Sequence, residues 1–192
     1  MRSYFGLVNA MHATETWPEC EGTALSPILQ LRADDLSAEV HGPLSWKLIT
    51  VFALPDSGPN ELKGDFVVRL YRSIEGLVTS SQATRQLCRP ASVSFSRPEP
   101  SLPDKNDLPA PLAARLRKHP ASARLWDRQR NMGSRMGGWP DWIQFETISS
   151  LPSFLLQLDT LQFDEWDCGD SSIIYLFADD SDPTPTWLVS GC

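Results

Sequence analysis

Two apolar runs recur in this chain at almost the same distance. Pro27-Ile28-Leu29-Gln30-Leu31 has a counterpart in Phe154-Leu155-Leu156-Gln157-Leu158, an offset of 127 from position 30 to position 157. Thr50-Val51-Phe52-Ala53-Leu54-Pro55-Asp56 has one in Tyr175-Leu176-Phe177-Ala178-Asp179-Asp180, an offset of 125 from position 52 to position 177. Short runs of this composition, bounded by turn-forming residues, read as strands. An equivalent Gln and an equivalent Phe-Ala at nearly one offset predict a duplicated unit, each copy burying its apolar face against the other. The expected fold is α+β: duplicated antiparallel β units sharing one core, with a short helical section between them. The halves fall at about residues 1–100 and 133–192, with the helical connector at 107–132. A chain of 192 residues suits one such domain, residues 1–192, better than two independent ones.

Further strands are expected at Leu25–Leu31, Leu48–Leu54, Phe66–Tyr71, Ile143–Thr147, Ile173–Ala178 and Thr186–Ser190, with Val93–Phe95 as an edge strand. The second and third of these pair, with Asp56 to Gly64 as their connection. Tyr4 to Cys20 reads as a loop-rich entry with one short strand, and Asp34-Asp35-Leu36 as a polar turn. Sixteen Pro residues lie mostly between apolar runs and argue for many turns and few long helices. In the connector, Leu108, Leu112 and Leu116 form one stripe of a helix with Asp107 as its cap. Pro120 ends that helix and opens a second over Ala121 to Met132.

Charge is unevenly spread. From Met136 to the end stand ten acids: Asp141, Glu146, Asp159, Asp164, Glu165, Asp167, Asp170, Asp179, Asp180 and Asp182, with no Lys or Arg. The other 14 of the 24 acids face all 17 bases, so the net charge of −7 belongs to this one segment. Carboxylates are costly to bury unpaired, so most are expected on the surface. They serve either as a solvated rim or as a face toward a cationic partner. The candidate partner-binding residues are Asp164, Glu165, Asp167, Asp170, Asp179, Asp180 and Asp182. The basic section from Arg115 to Arg135 raises a nucleic-acid reading, but only Trp126 supplies a stacking aromatic there, and a solvated or paired face is favoured. No direct nucleic-acid binding is expected of so acidic a chain.

Catalytic signatures are missing. There is no phosphate-binding glycine loop, no zinc-protease helix and no nucleophile elbow. His12, His41 and His119 lack carboxylate or His neighbours at metal spacing, and the four cysteines are widely separated. The acidic loop Asp164 to Asp170 lacks the closing Glu of a calcium loop and reads as a hairpin turn at Gly169-Asp170. No catalytic residue, metal or cofactor is assigned, and an enzyme is not expected. The cysteine usage, the absence of a signal-peptide core and the absence of a membrane-length apolar run point to a reduced cytoplasmic protein. The two Gln residues inside apolar runs have two readings. Either each amide ties its strand to a neighbouring loop, as buried polar groups usually do, or Gln30, Gln144, Gln157, Trp139 and Trp142 line a pocket between the repeats.

Gly137-Gly138-Trp139-Pro140, Trp142-Ile143-Gln144, Leu155-Leu156-Gln157-Leu158-Asp159 and Gly169-Asp170 ahead of Tyr175-Leu176-Phe177 resemble, in order and spacing, the YwqG-like family of bacterial proteins. The first half agrees through Phe5-Gly6, Trp17-Pro18 with Cys20, Ile28 to Leu31 ahead of Asp35-Leu36, and Phe66 to Tyr71 followed by Leu77. Two departures are Phe5-Gly6-Leu7 in place of a Gly-Gly pair and a longer, more acidic loop at 164–170. The resemblance implies an α+β fold with a duplicated β unit and carries over no catalytic residues. Similar proteins include immunity proteins against type VI secreted nuclease toxins. Joined to the acidic segment, it implies an immunity protein that binds and neutralises a cognate toxin with a basic nucleic-acid-binding surface. The alternative is a small-molecule-binding module or enzyme with a pocket between the two repeats.

Overall fold

The computed structural model describes residues 2–36, 45–54, 66–80, 86–96, 103, 108–120, 133–142, 153–162, 173–178 and 186–190. In chain order the strands are β1 (Tyr4–Phe5), β2 (Ala10–His12), β3 (Glu19–Cys20), β4 (Thr23–Ala24), β5 (Ser26–Arg32), β6 (Leu48–Ala53), β7 (Phe66–Tyr71), β8 (Leu77–Thr79), β9 (Ala91–Ser92), β10 (Arg135–Met136), β11 (Ser153–Asp159), β12 (Ile173–Ala178) and β13 (Thr186–Ser190). One α-helix, α1 (Ala110–Arg117), accompanies them among the described residues. The class is therefore mainly β with a helical element, within α+β.

Strands that are apolar on both faces belong in the middle of a sheet. All of β6 and all of β5 except Arg32 are buried, and they stand at the centre of a five-stranded sheet ordered β7-β6-β5-β1-β9. A four-stranded sheet, β10-β11-β12-β13, follows the same logic around β11 and β12. Two ribbons, β2 with β8 and β3 with β4, complete the set, and every pairing is antiparallel. The β3–β4 turn has Glu21 and Gly22 both at positive φ, the backbone that a tight two-residue hairpin turn demands.

The two large sheets correspond pair by pair. Tyr4 lies opposite Gln30 and Phe5 opposite Leu29; Arg135 lies opposite Gln157 and Met136 opposite Leu156. The central pairing breaks register once in each sheet, between Pro27 and Leu29 and between Phe154 and Leu156. Beyond that bulge, Gln30 faces Thr50 and Gln157 faces Tyr175. Each long strand then runs into a single 3-10 turn, Ala33–Asp35 after β5 and Thr160–Gln162 after β11.

One cluster of buried side chains draws on both sheets. Ile28, Leu29, Leu31, Ile49, Val51 and Ala53 come from the first; Leu155, Leu156, Leu158, Ile174 and Leu176 come from the second. A fully buried Leu or Ile stabilises the fold by about 1.5–3 kcal/mol relative to exposure, so this cluster is the main source of stability. Because side chains alternate along a strand, Gln30, Thr50, Gln157 and Tyr175 point to the opposite, outer faces. Those faces have smaller clusters of their own: Val8, Leu25 and Phe52 under Trp17, and Ile173, Tyr175 and Phe177 under Trp142.

Several expectations need correction. The entry from Tyr4 to Cys20 contains three short strands rather than one; segments of two or three residues carry no readable periodicity. The edge pairing uses Ala91–Ser92 rather than Val93–Phe95, of which Val93 only donates its N–H to the Ser3 carbonyl. The helix starts at Ala110, not after Asp107, because Pro109 is extended at ψ 135° and holds the residue before it extended as well. Its buried side is Ala113, whereas Leu112 is 43% exposed, so the leucine stripe is not its packing face. Asp107, the connection Asp56 to Gly64, the helix at Ala121 to Met132, the strand at Ile143 to Thr147 and the acidic loop lie outside the described residues. Cys88 is buried and Cys20 half-buried, both as thiols.

Glycine is required at one turn more than at its counterpart. Gly6 (φ +65°) follows β1 and Gly137 (φ +70°) follows β10, and each donates its N–H back to the long strand, to the Ile28 and Leu155 carbonyls at 2.8 and 2.9 Å. A Cβ on Gly6 would stand 2.5 Å from the Cys88 carbonyl oxygen, whereas one on Gly137 meets nothing within 4 Å. Gly137→Ala is expected to cost only the left-handed backbone penalty, about 1–2 kcal/mol. Gly6→Ala adds an overpacking cost of about 1–3 kcal/mol. Urea denaturation of the two variants checks the ranking, and equal losses would contradict it.

Candidate functional site

The polar chemistry of the described residues is concentrated in two junctions, each built on a buried glutamine in the middle of a mostly buried strand. Gln30 donates from Nε2 to the Arg2 carbonyl (2.8 Å) and to Asn9 Oδ1 (3.1 Å), and its Oε1 accepts the Asn9 N–H (3.0 Å). Gln157 donates from Nε2 to the Gly133 carbonyl (2.8 Å), and its Oε1 accepts the Asp141 N–H (3.0 Å). Each amide thus closes one carbonyl before the short first strand and one N–H after it. A serine beside it adds a second clasp. Ser3 Oγ accepts the Arg32 N–H at 2.9 Å, and Ser134 Oγ accepts the Asp159 N–H at 3.0 Å. A tryptophan further along the chain, beyond β2 in the first case and next to Asp141 in the second, covers a phenylalanine of the strand that follows the long one. Trp17 meets Phe52 edge-on at 5.1 Å, and Trp142 stacks near Phe177 at 6.1 Å.

The outer faces then diverge. Over the first sheet, Glu15 is the hub. Its Oε2 accepts the His12 N–H (2.8 Å) and the Tyr71 hydroxyl (2.7 Å) and lies 3.7 Å from Arg69 Nη1. Arg69 also donates to the Thr16 carbonyl at 2.9 Å and sits over the Phe52 ring. Burial, reinforced by the Glu15 carboxylate, pushes the Tyr71 hydroxyl up to about 12. Over the second sheet, Arg135 and Asp141 form an ion pair at 2.9 Å with both side chains only 14% exposed. Arg135 also donates to the Trp139 carbonyl. Burial lowers the Arg135 pKa, and Asp141 opposes that shift. The Tyr175 hydroxyl donates to the Asp141 carbonyl at 2.6 Å, with its ring 4.7 Å from Trp142.

Of the residues read as a pocket, the structure brings Gln157, Trp139 and Trp142 into one junction. Gln30 belongs to the other sheet, and both amides point away from the shared core; Gln144 lies outside the described residues. So do Asp164, Glu165, Asp167, Asp170, Asp179, Asp180 and Asp182. Among the described residues no group of three His, Cys, Asp or Glu side chains is placed to hold a metal ion. Sequence reasoning missed Ser3, Asn9, Glu15, Ser134 and Arg135, which tie the segments around the short strands in place. A signal for the tryptophans was there: positions 17 and 142 differ by 125, the offset of Phe52 and Phe177. The chain matches no protein-family model, and no curated protein matches it.

Two measurements probe these junctions. Gln157→Leu leaves the Gly133 carbonyl and the Asp141 N–H without their partner, at about 1–3 kcal/mol for each buried group. Its urea midpoint should fall accordingly, and an unchanged midpoint would show the amide to be dispensable. Tyr71 holds its proton more tightly folded than unfolded. Its contribution to stability is therefore complete below pH 10 and is lost as pH rises from 10 toward 12. Tyr71→Phe should remove a late ionisation from the tyrosinate absorbance, together with part of the alkaline destabilisation.

Proposed function

We propose that this chain is an immunity protein: a non-catalytic β protein made of two copies of one strand unit on a common core, which binds and neutralises a basic secreted toxin, best read as a nuclease. The observation that carries the reading is the charge segregation, with ten acids and no cation from Met136 onward. A nuclease is basic where it grips phosphates, and an acidic face both steers its approach and occupies that groove. The likeness to YwqG-like proteins supports the same reading. The duplication is supported by the matched registers, bulges, glutamine bonds, serine clasps and tryptophan–phenylalanine contacts. A small-molecule pocket draws less support, because the amides of Gln30 and Gln157 are engaged by backbone groups on two different sheets.

Affinity capture from the native host followed by mass spectrometry should recover one stoichiometric basic protein. Reversal of Asp164, Glu165, Asp167 and Asp170 to Lys should slow association with it by about tenfold or more at low salt. Added salt should slow the wild type far more than the variant, since screening acts over about 8–10 Å at physiological strength. Unchanged binding and protection in the variant would leave the acids as a solvated rim and move the contact elsewhere.

A further inference from the structure

Two buried polar atoms on the outer face of the first sheet lack a hydrogen-bond partner among the described residues: Thr50 Oγ1 and Arg69 Nη1. Thr50 is fully buried. The register puts the two together. Thr50 stands directly opposite Gln30 on one side and Arg69 on the other, so the three side chains form one row on one face. The neighbouring groups are already committed. The Gln30 amide is taken up by Arg2 and Asn9. Glu15 Oε2 accepts the His12 N–H and the Tyr71 hydroxyl, and at 3.7 Å it lies beyond hydrogen-bond reach of Arg69 Nη1. Arg69 Nη2 is bonded to the Thr16 carbonyl, and the guanidinium lies over the Phe52 ring, which together hold it where it is. A buried hydroxyl and a buried cationic N–H with their bonds unmade are costly, and folded proteins rarely leave such groups unserved.

The second sheet shows how much room the frame allows at this position. Tyr175 stands opposite Gln157 as Thr50 stands opposite Gln30, and its hydroxyl reaches the Asp141 carbonyl. In the matching frame, a threonine is too short to reach a partner of its own. What fits beside it is small and neutral: Arg69 disfavours a cation, Glu15 disfavours an anion, and both unbonded atoms are shut off from solvent. An oxygen that accepts from Nη1 and shares a bond with the hydroxyl serves both, and internal waters typically serve groups of this kind. We infer that the first outer face holds a binding site for one ordered water between Thr50 and Arg69, which takes the place there that the Tyr175 hydroxyl takes on the second. The site is independent of the immunity reading and belongs to the frame that positions the entry loop.

Two measurements on the full chain test this. A crystal structure of the wild type should show one water within hydrogen-bond distance of both Thr50 Oγ1 and Arg69 Nη1, and Thr50→Ser, which keeps the hydroxyl, should retain it. Thr50→Val has nearly the same shape but takes the hydroxyl away, leaving the water and the guanidinium one bond short. Its urea midpoint should fall by about 0.3–1 M. Without the water, the same substitution would remove an unpaired hydroxyl from the interior, and the midpoint would hold or rise. No water between the two atoms in the wild type, or a Thr50→Val midpoint equal to or above that of the wild type, overturns the inference. Should the valine variant fail to fold, the wild-type crystal structure decides by itself.

Discussion

A primary amide buried in the middle of a strand must find partners for both its ends, because each unmade bond costs about 1–3 kcal/mol. Gln30 and Gln157 meet that demand by reaching over the sheet to the chain on either side of a two-residue strand. Neither short strand has the length or apolar content to hold its place alone. The amide, the serine clasp and the glycine N–H bond together fix it against the long strand. On each outer face a tryptophan further along the chain lies over a phenylalanine. The inner faces are left to one another, which is why one apolar cluster includes residues of both sheets.

The outer faces use different chemistry on the same frame. Thr50 stands opposite Gln30 where Tyr175 stands opposite Gln157. The tyrosine fills its face with a ring and a hydroxyl that bonds the Asp141 carbonyl. On the first sheet, Glu15, Arg69 and Tyr71 form a charged clamp over the sheet. Each face holds an ion pair, and that of the second, Arg135 with Asp141, is shorter and more deeply buried than that of Arg69 with Glu15.

The strongest strands were legible because they are long and apolar on both faces. Phe66–Tyr71, Ile173–Ala178 and Thr186–Ser190 stand at their expected bounds, β6 differs by a residue at one end, and β5 and β11 differ by a residue at both ends. The short strands of the first half were less legible. They are set by polar bonds between distant positions, such as Ser3 to Asp35 and Val93 to Ser3, and no local pattern announces those. The leucine stripe at 108–116 misled because proline geometry starts the helix after Leu108, and the helix buries Ala113 while Leu112 faces outward. At the junctions, the glutamines were conspicuous as polar residues in apolar runs. Their partners were not, because those are mostly backbone groups, identical in every residue.

The shared apolar cluster also has a consequence for synthesis. The chain emerges from its N-terminus, and β9, the last strand of the first sheet, is complete by Ser92. The leucines, isoleucines and valine that line that sheet's inner face must then wait for β11 and β12, which begin at Ser153 and Ile173. During that interval a nascent chain presents a finished sheet with one bare oily face, the kind of intermediate that chaperones attend and that aggregates when they do not. Both large sheets, though each has its own hydrogen bonds, therefore reach their buried state in one late step.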